Sequence, residues 1–126
     1  MLQVPHGATK KGGRMITAYS FGRICVDSTW YTRDIKIDGT SVLADWWRGR
    51  GHVCMLEDIA DLLAGDPEII ILGTGRPGLM KADPGLRSAL AERGIRLIEQ
   101  PTVEAVQTFN NLHRAHRIGA GFHLTC

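Results

Sequence analysis

The segment Gly73-Thr74-Gly75-Arg76-Pro77-Gly78 follows the apolar run Ile69-Ile70-Ile71-Leu72 and reads GxGxxG after a strand. Turns of this form hold pyrophosphate because glycine lets the backbone approach closely and the N–H groups of the following helix face the anion. Glu99 falls near the spacing of a ribose-binding acid. Here, however, Pro77 has no N–H to offer, and Asp83-Pro84 moves the next helix start well past Gly78. Asp83 also puts a carboxylate at the cap where an anion would sit. The chain has too few strand–helix–strand units for two mononucleotide halves, so a dinucleotide is not expected. Two readings of the turn remain. Either Gly73 and Gly75 supply backbone freedom at a sharp strand exit, or the turn and Arg76 cradle a small anion where α/β folds place ligand crevices.

His52-x-Cys54 and His123-x-x-Cys126 have the residue types of a zinc site. Structural zinc takes four nitrogen or sulfur ligands in tight pairs, and these pairs are loose, so no metal and no cofactor are expected. Cys54 could act as a nucleophile only with His52 or His123 as its base. Asp34, Asp45, Glu57 and Asp58 sit near possible cleft positions, in spacings that caps and solvated faces also explain. His113 and His116 read as a solvated pair. Trp46-Trp47 would face opposite sides of a strand, one in the core and one partly exposed beside Arg48 and Arg50. The nucleophile elbow GxSxG, the P-loop and HExxH are absent, so no residue set for a common hydrolase or phosphotransferase is present.

These groups need a scaffold, and the chain is long enough to bury one core: 126 residues, 44% hydrophobic and 22% charged. A net charge of +2 and a pI near 8.6 are too mild for a nucleic-acid binder. Lys10, Lys11 and Arg14 lie among glycines in a stretch that reads as a solvated, flexible tail over residues 1–14. No apolar run approaches the roughly 20 residues of a membrane span, so membrane insertion is not expected. The start of the chain has neither the apolar region of a secretory signal nor an Arg-rich presequence. With three cysteines, an odd number read as free thiols, this leads to the expectation of a cytoplasmic protein.

From Met15 onward, ITAYSFGRICV and DIKI mix β-branched and aromatic residues between turn residues. They predict short antiparallel strands, with Asp38-Gly39 as the strongest hairpin signal and SVLADWWR as one more strand. Leu56, Ile59, Ala60, Leu62 and Leu63 then recur at helical spacing up to Gly65. EIIIL reads as a buried strand, Asp83-Pro84 as the cap and first residue of a helix through Leu86 and Leu90, and IRLIE as a second buried strand. Thr102 reads as the cap of a third helix carrying Val106 and Phe109, and RIGAGFHLTC as a closing strand. The fold class expected is α/β: over residues 15–126, a single compact domain with an antiparallel meander and a mixed sheet covered by helices, a layered β/β/α arrangement.

The order of these motifs resembles one small family across residues 15–126. The carriers are Tyr19-Ser20-Phe21-Gly22-Arg23-Ile24, Tyr31-x-x-Asp34, Trp46-Trp47 with His52, IILGTG, GIRLIEQPT, Phe109-Asn110 and the closing GFHLTC. It is the family of the mitochondrial complex I assembly factor 3 and the adipogenesis-associated Mth-type domain proteins, filed as a domain of unknown function. The resemblance implies one compact domain of β-sheet and helix layers and no established enzymatic activity. It also implies that the glycine turn, with Asp34, Trp46 and His52, lines a shared cleft. Its eukaryotic relatives act as assembly or regulatory partners through protein–protein contacts.

The expected function is therefore a cytoplasmic binding or assembly-assisting module with a possible protein partner. The alternative is a small-molecule or anion binder, enzymatic or not, with its site at turn 73–78. The candidate cleft residues are Asp34, Trp46, His52, Gly73, Thr74, Gly75 and Arg76.

Overall fold

The alternation of apolar residues in Ile69–Gly73 determines how the molecule is layered. A computed structural model describes residues 14–126, and in it this strand, β7, is buried along its whole length. Ile69 and Ile71 point into one core and Ile70 and Leu72 into another, as the two-residue period of a strand requires. A strand covered on both faces reads as a continuous apolar run, which is why EIIIL was legible.

Six strands precede it in the described residues and three follow. β1 (Ile16–Ser20), β2 (Arg23–Val26) and β3 (Thr29–Tyr31) form an antiparallel meander. β4 (Ile35–Ile37) and β5 (Val42–Leu43) form the hairpin expected at Asp38-Gly39. There the Asp38 carboxylate accepts from the amides of Thr40 at 3.1 Å and Ser41 at 2.7 Å. β6 (Val53–Cys54) and β8 (Lys81–Ala82) make a two-residue parallel pair.

With β9 (Arg96–Gln100) and β10 (Ile118–Phe122), the main sheet has the order β5-β4-β10-β7-β9. β10 is parallel to β7 and antiparallel to β4, so it joins the crossover half of the sheet to the hairpin half. Helix α1 (Ala60–Leu63) and α2 (Pro84–Glu92) cover one face, together with Trp46, Cys54 and Met80. On the other face, α3 (Thr102–Leu112) and the meander share a core of Ile24, Val26, Val106 and Phe109 with the sheet's own Ile35, Ile37 and Phe122. The expected mixed sheet, antiparallel meander and covering helices are all present.

Four local expectations need correction. Only Val42–Leu43 of SVLADWWR pairs as strand, because Asp45 adopts a left-handed φ of 55° and turns the chain out of the sheet. The helix expected over 56–63 is a 3₁₀ turn, Leu56–Ile59, followed by the single turn of α1. Thr102 is the first residue of α3 rather than its cap; extended Pro101 holds the cap position. The closing strand stops at Phe122, and His123–Cys126 runs on beside the glycine turn, with Thr125 O accepting from Arg76 N and Cys126 O from Leu79 N. The α2 start is as expected, with Asp83 capping through the Gly85 amide at 2.8 Å and Pro84 in the first turn. The expected tail lies outside the described residues but for Arg14.

Candidate functional site

Beyond the carboxyl ends of β7 and β10, three loops bring together charged groups that are far apart in sequence. Asp34, in the loop between β3 and β4, places its Oδ2 within 2.8 Å of His123 Nδ1 and 2.9 Å of Arg48 Nη2. Its Oδ1 accepts from the Leu124 amide at 2.8 Å. The Arg48 and His123 nitrogens lie 3.1 Å apart, but both are donors directed at the same carboxylate oxygen. Asp34 thereby holds the imidazole by its Nδ1 edge and turns Nε2 away from the carboxylate.

All three side chains are largely withdrawn from water, at 14% exposure for Asp34, 6% for Arg48 and 8% for His123. Burial pushes the Asp34 carboxyl upward, but the hydrogen bonds from His123, the Leu124 amide and Arg48 outweigh it and hold the group below its ordinary value.

The walls follow from the residues that could not join the sheet. After Asp45 turns the chain, the Trp46 amide donates to Asp34 O at 2.8 Å and the indole lies against β10. It fits there because position 121 is glycine: a Cβ would stand 2.7 Å from the ring. The indole N–H donates to Asp58 O at 3.0 Å, and the Arg48 guanidinium stands 4.6 Å over the ring. As expected of the pair, Trp46 is buried (6%) and Trp47 exposed (74%), although the segment is not a strand. Arg33, Asp34, Trp46, Trp47, Arg48 and His123 are the principal walls of a cleft of about 280 Å³.

Two buried atoms of this cluster, Arg48 Nη1 and His123 Nε2, have no hydrogen-bond partner. Native structures leave few buried polar groups unpaired.

The expected cleft residues divide into two groups. Asp34 and Trp46 line the cleft, and exposed His52 stands edge-on to His123 with ring centroids 5.5 Å apart. The glycine turn does not open into it. Thr74 is buried, with its amide donated to Gln100 O. The Gly75 amide goes to Thr102 Oγ1 at 2.9 Å and the Arg76 amide to Thr125 O at 2.8 Å. These amides are spent inside the chain, and exposed Arg76 is not a wall of the cleft.

Gly73 and Gly75 instead form a shelf behind the cluster. A Cβ on Gly73 would come within 2.9 Å of Phe122, and one on Gly75, where φ is +105°, would strike Thr125 O and come within 2.8 Å of the His123 ring. The Thr102 hydroxyl locks the shelf by donating to His123 O at 2.6 Å.

Sequence reasoning named Arg48 only as the neighbour of an exposed Trp, and it did not pair His123 with Asp34. The one signal was position: His123 follows the last apolar residue of a strand, as the glycine turn follows β7. Of the residues considered for zinc, Cys54 is fully buried among the α1 and α2 residues, while His52 is exposed and Cys126 lies at the surface. Burial raises the Cys54 thiol to about 12, with Asp58 adding to the effect. Among the described residues no three of His, Cys, Asp and Glu gather around a possible ion. Among them, too, no helix is long and apolar enough to cross a membrane.

The fold has close counterparts. A conserved hypothetical protein of Pyrococcus horikoshii superposes with a TM-score of 0.80 at 24% identity, over 88% of this chain and 98% of that one. A protein described as MT938 superposes with a TM-score of 0.74 at 27% identity, over 90% and 100%. The Bordetella pertussis protein described as an Mth938-like domain gives a TM-score of 0.68 at 19% identity, over 98% and 91%. No curated protein matches the chain. The family model described as protein of unknown function (DUF498/DUF598) matches residues 16–123. The match runs from the meander through His123 and takes in Asp34, Trp46, Arg48 and His123, and the chain belongs to this Mth-type domain family.

Proposed function

We propose that this chain is a non-catalytic binding module of the cytoplasm that acts through protein–protein contacts and assists the assembly of a partner. One observation carries the reading: three of the most exposed large apolar side chains gather around the segment His123–Cys126. Phe21 (54% exposed) precedes Gly22, whose amide donates to Leu124 O. Leu79 (50%) donates its own amide to Cys126 O, and Trp47 (74%) shares the cleft with His123 and Thr125. Large exposed apolar groups collected at one end of a small protein suit a partner surface, and aromatic anchors supply most of the energy at such surfaces.

The resemblance of the motif order to assembly-factor proteins supports the same reading. The family match over 16–123 supports treating residues 15–126 as one domain. The free thiols of Cys25 and Cys54, both buried, and of Cys126 suit a reducing compartment.

Site-specific photocrosslinking in the native cell tests this. A photoreactive residue at Trp47 should capture a defined protein, and the same residue at Asp66, at the opposite end of β7, should not. Capture should fall at least tenfold when Phe21 and Leu79 are both changed to alanine. Equal adducts at positions 47 and 66, or none at 47, would sink the proposal.

A further inference from the structure

The cleft holds a chemical mismatch that the docking face does not explain. Arg48 and His123, each more than nine-tenths buried, leave one nitrogen apiece without a partner in a cluster otherwise fully bonded. The geometry points to a small-molecule site, and we infer that its ligand is a monocarboxylate with a compact apolar body.

The charge fits. Among the cleft walls, the guanidinium groups of Arg33 and Arg48 outnumber the Asp34 carboxylate by one charge. Asp45 reaches Arg33 only at 4.0 Å, with both side chains about two-thirds exposed, so the surrounding water screens that contact. Asp34 already occupies Arg48 Nη2, and Gly51 O accepts from Nε. Nη1 is the guanidinium nitrogen left for a second carboxylate. With Nδ1 turned to Asp34, His123 Nε2 is the ring nitrogen left to bond the hydroxyl of a hydroxy acid or a bridging water.

The walls fit as well. Trp46 and Trp47 give the cleft an apolar side, and about 280 Å³ admits a body the size of one small ring. A phosphate is the poorer match. It carries more negative charge than the walls balance, and the amides of Thr74, Gly75 and Arg76, the natural cradle for it, are donated within the chain.

The test is titration of the purified chain, free of any partner, followed by ¹H–¹⁵N spectra. Benzoate and mandelate are the probes, with acetate, inorganic phosphate and chloride as controls. Benzoate or mandelate should shift the indole N–H signals of Trp46 and Trp47 and the Leu124 amide saturably at millimolar concentration. Acetate should bind at least fivefold more weakly, and phosphate and chloride should leave those signals in place. Trp47→Ala, a surface change that leaves the Asp34 cluster intact, should weaken benzoate binding about tenfold. Arg48→Lys, which keeps the charge but not the fork, should weaken it at least as much. Absence of saturation with either aromatic acid overturns the inference. So do equal shifts from phosphate or chloride, and so does unchanged benzoate affinity in Trp47→Ala.

Discussion

Asp34 and His123 stand 89 positions apart and share a 2.8 Å hydrogen bond that ties the hairpin half of the sheet to the end of its central strand. Arg48 shares the same carboxylate oxygen, so one acid holds two buried basic groups from two other segments. Removing one member of such a cluster leaves the others buried without compensation, which costs far more than the cluster's net worth. Asp34→Asn should therefore lower unfolding free energy by about 3 kcal/mol, measured by urea denaturation at pH 7. A loss below about 1 kcal/mol would show that Arg48 finds another partner.

Acidification should act in two steps. Burial, reinforced by the charge of Arg114, holds His113 below its ordinary value of 6.5. As pH falls the unfolded chain takes up this proton first, so stability should begin to decline below about pH 6.5. His113→Phe should remove that step. Asp34 behaves in the opposite sense of charge: its folded pKa lies below the unfolded value of about 3.9. The stabilisation it gives is complete above that unfolded value and is lost as pH drops through the folded one. Urea midpoints collected from pH 8 to pH 2.5 should show both declines, and Asp34→Asn should flatten only the lower.

Gly75→Ala should destabilise the chain by at least ~2 kcal/mol, since φ is +105° and the added methyl has no room against Thr125 O and His123. Gly94→Ala is the comparison. Its φ is also positive, at 72°, but nothing lies within 4 Å of the added atom, so it should cost backbone strain alone. Equal thermal shifts in the two variants would mean that the shelf behind His123 yields.

Thiol reactivity should separate the cysteines. Burial and Asp58 raise Cys54 to about 12, and Cys25 is also buried, whereas Cys126 is exposed. A disulfide reagent at pH 8 should modify one thiol quickly in the folded chain and all three only in denaturant. Fast reaction at two sites would contradict the packing of β2 or β6.

Trp47→Ala should change the unfolding free energy from urea denaturation by no more than a surface substitution does, about 0.5 kcal/mol, because the side chain is 74% exposed. Trp46→Ala, which removes a buried indole over Gly121, should cost about 3–5 kcal/mol. Comparable losses in the two would show that both indoles pack alike.

The sequence made the layered sheet legible where local signals agree with the tertiary answer. The run at 69–72, the cap at Asp83-Pro84 and the turn at Asp38-Gly39 each specify their element within a few residues. The signal failed at Thr102, whose hydroxyl looked free to cap a helix and is taken instead by His123 O and the Gly75 amide. It failed at residues 44–48 because the left-handed turn at Asp45 is not encoded by apolar spacing. The Asp34–Arg48–His123 cluster was legible only in part. Asp34 stood out by resemblance, but pairing it with the other two depends on the order of strands across the sheet, which no local pattern records.

The strand order also has a consequence for how the chain assembles. β10 is delivered after every other strand, yet it belongs between β4 and β7. Until β10 is in place, the hairpin β4–β5 and the pair β7–β9 each lack the partner of their inner edge. Such edges invite pairing with another chain, and contacts this distant in sequence form slowly. A chain in which β10 has not yet docked therefore has two open edges flanking the same gap, and a chaperone that shields either edge should raise the yield without touching the finished fold.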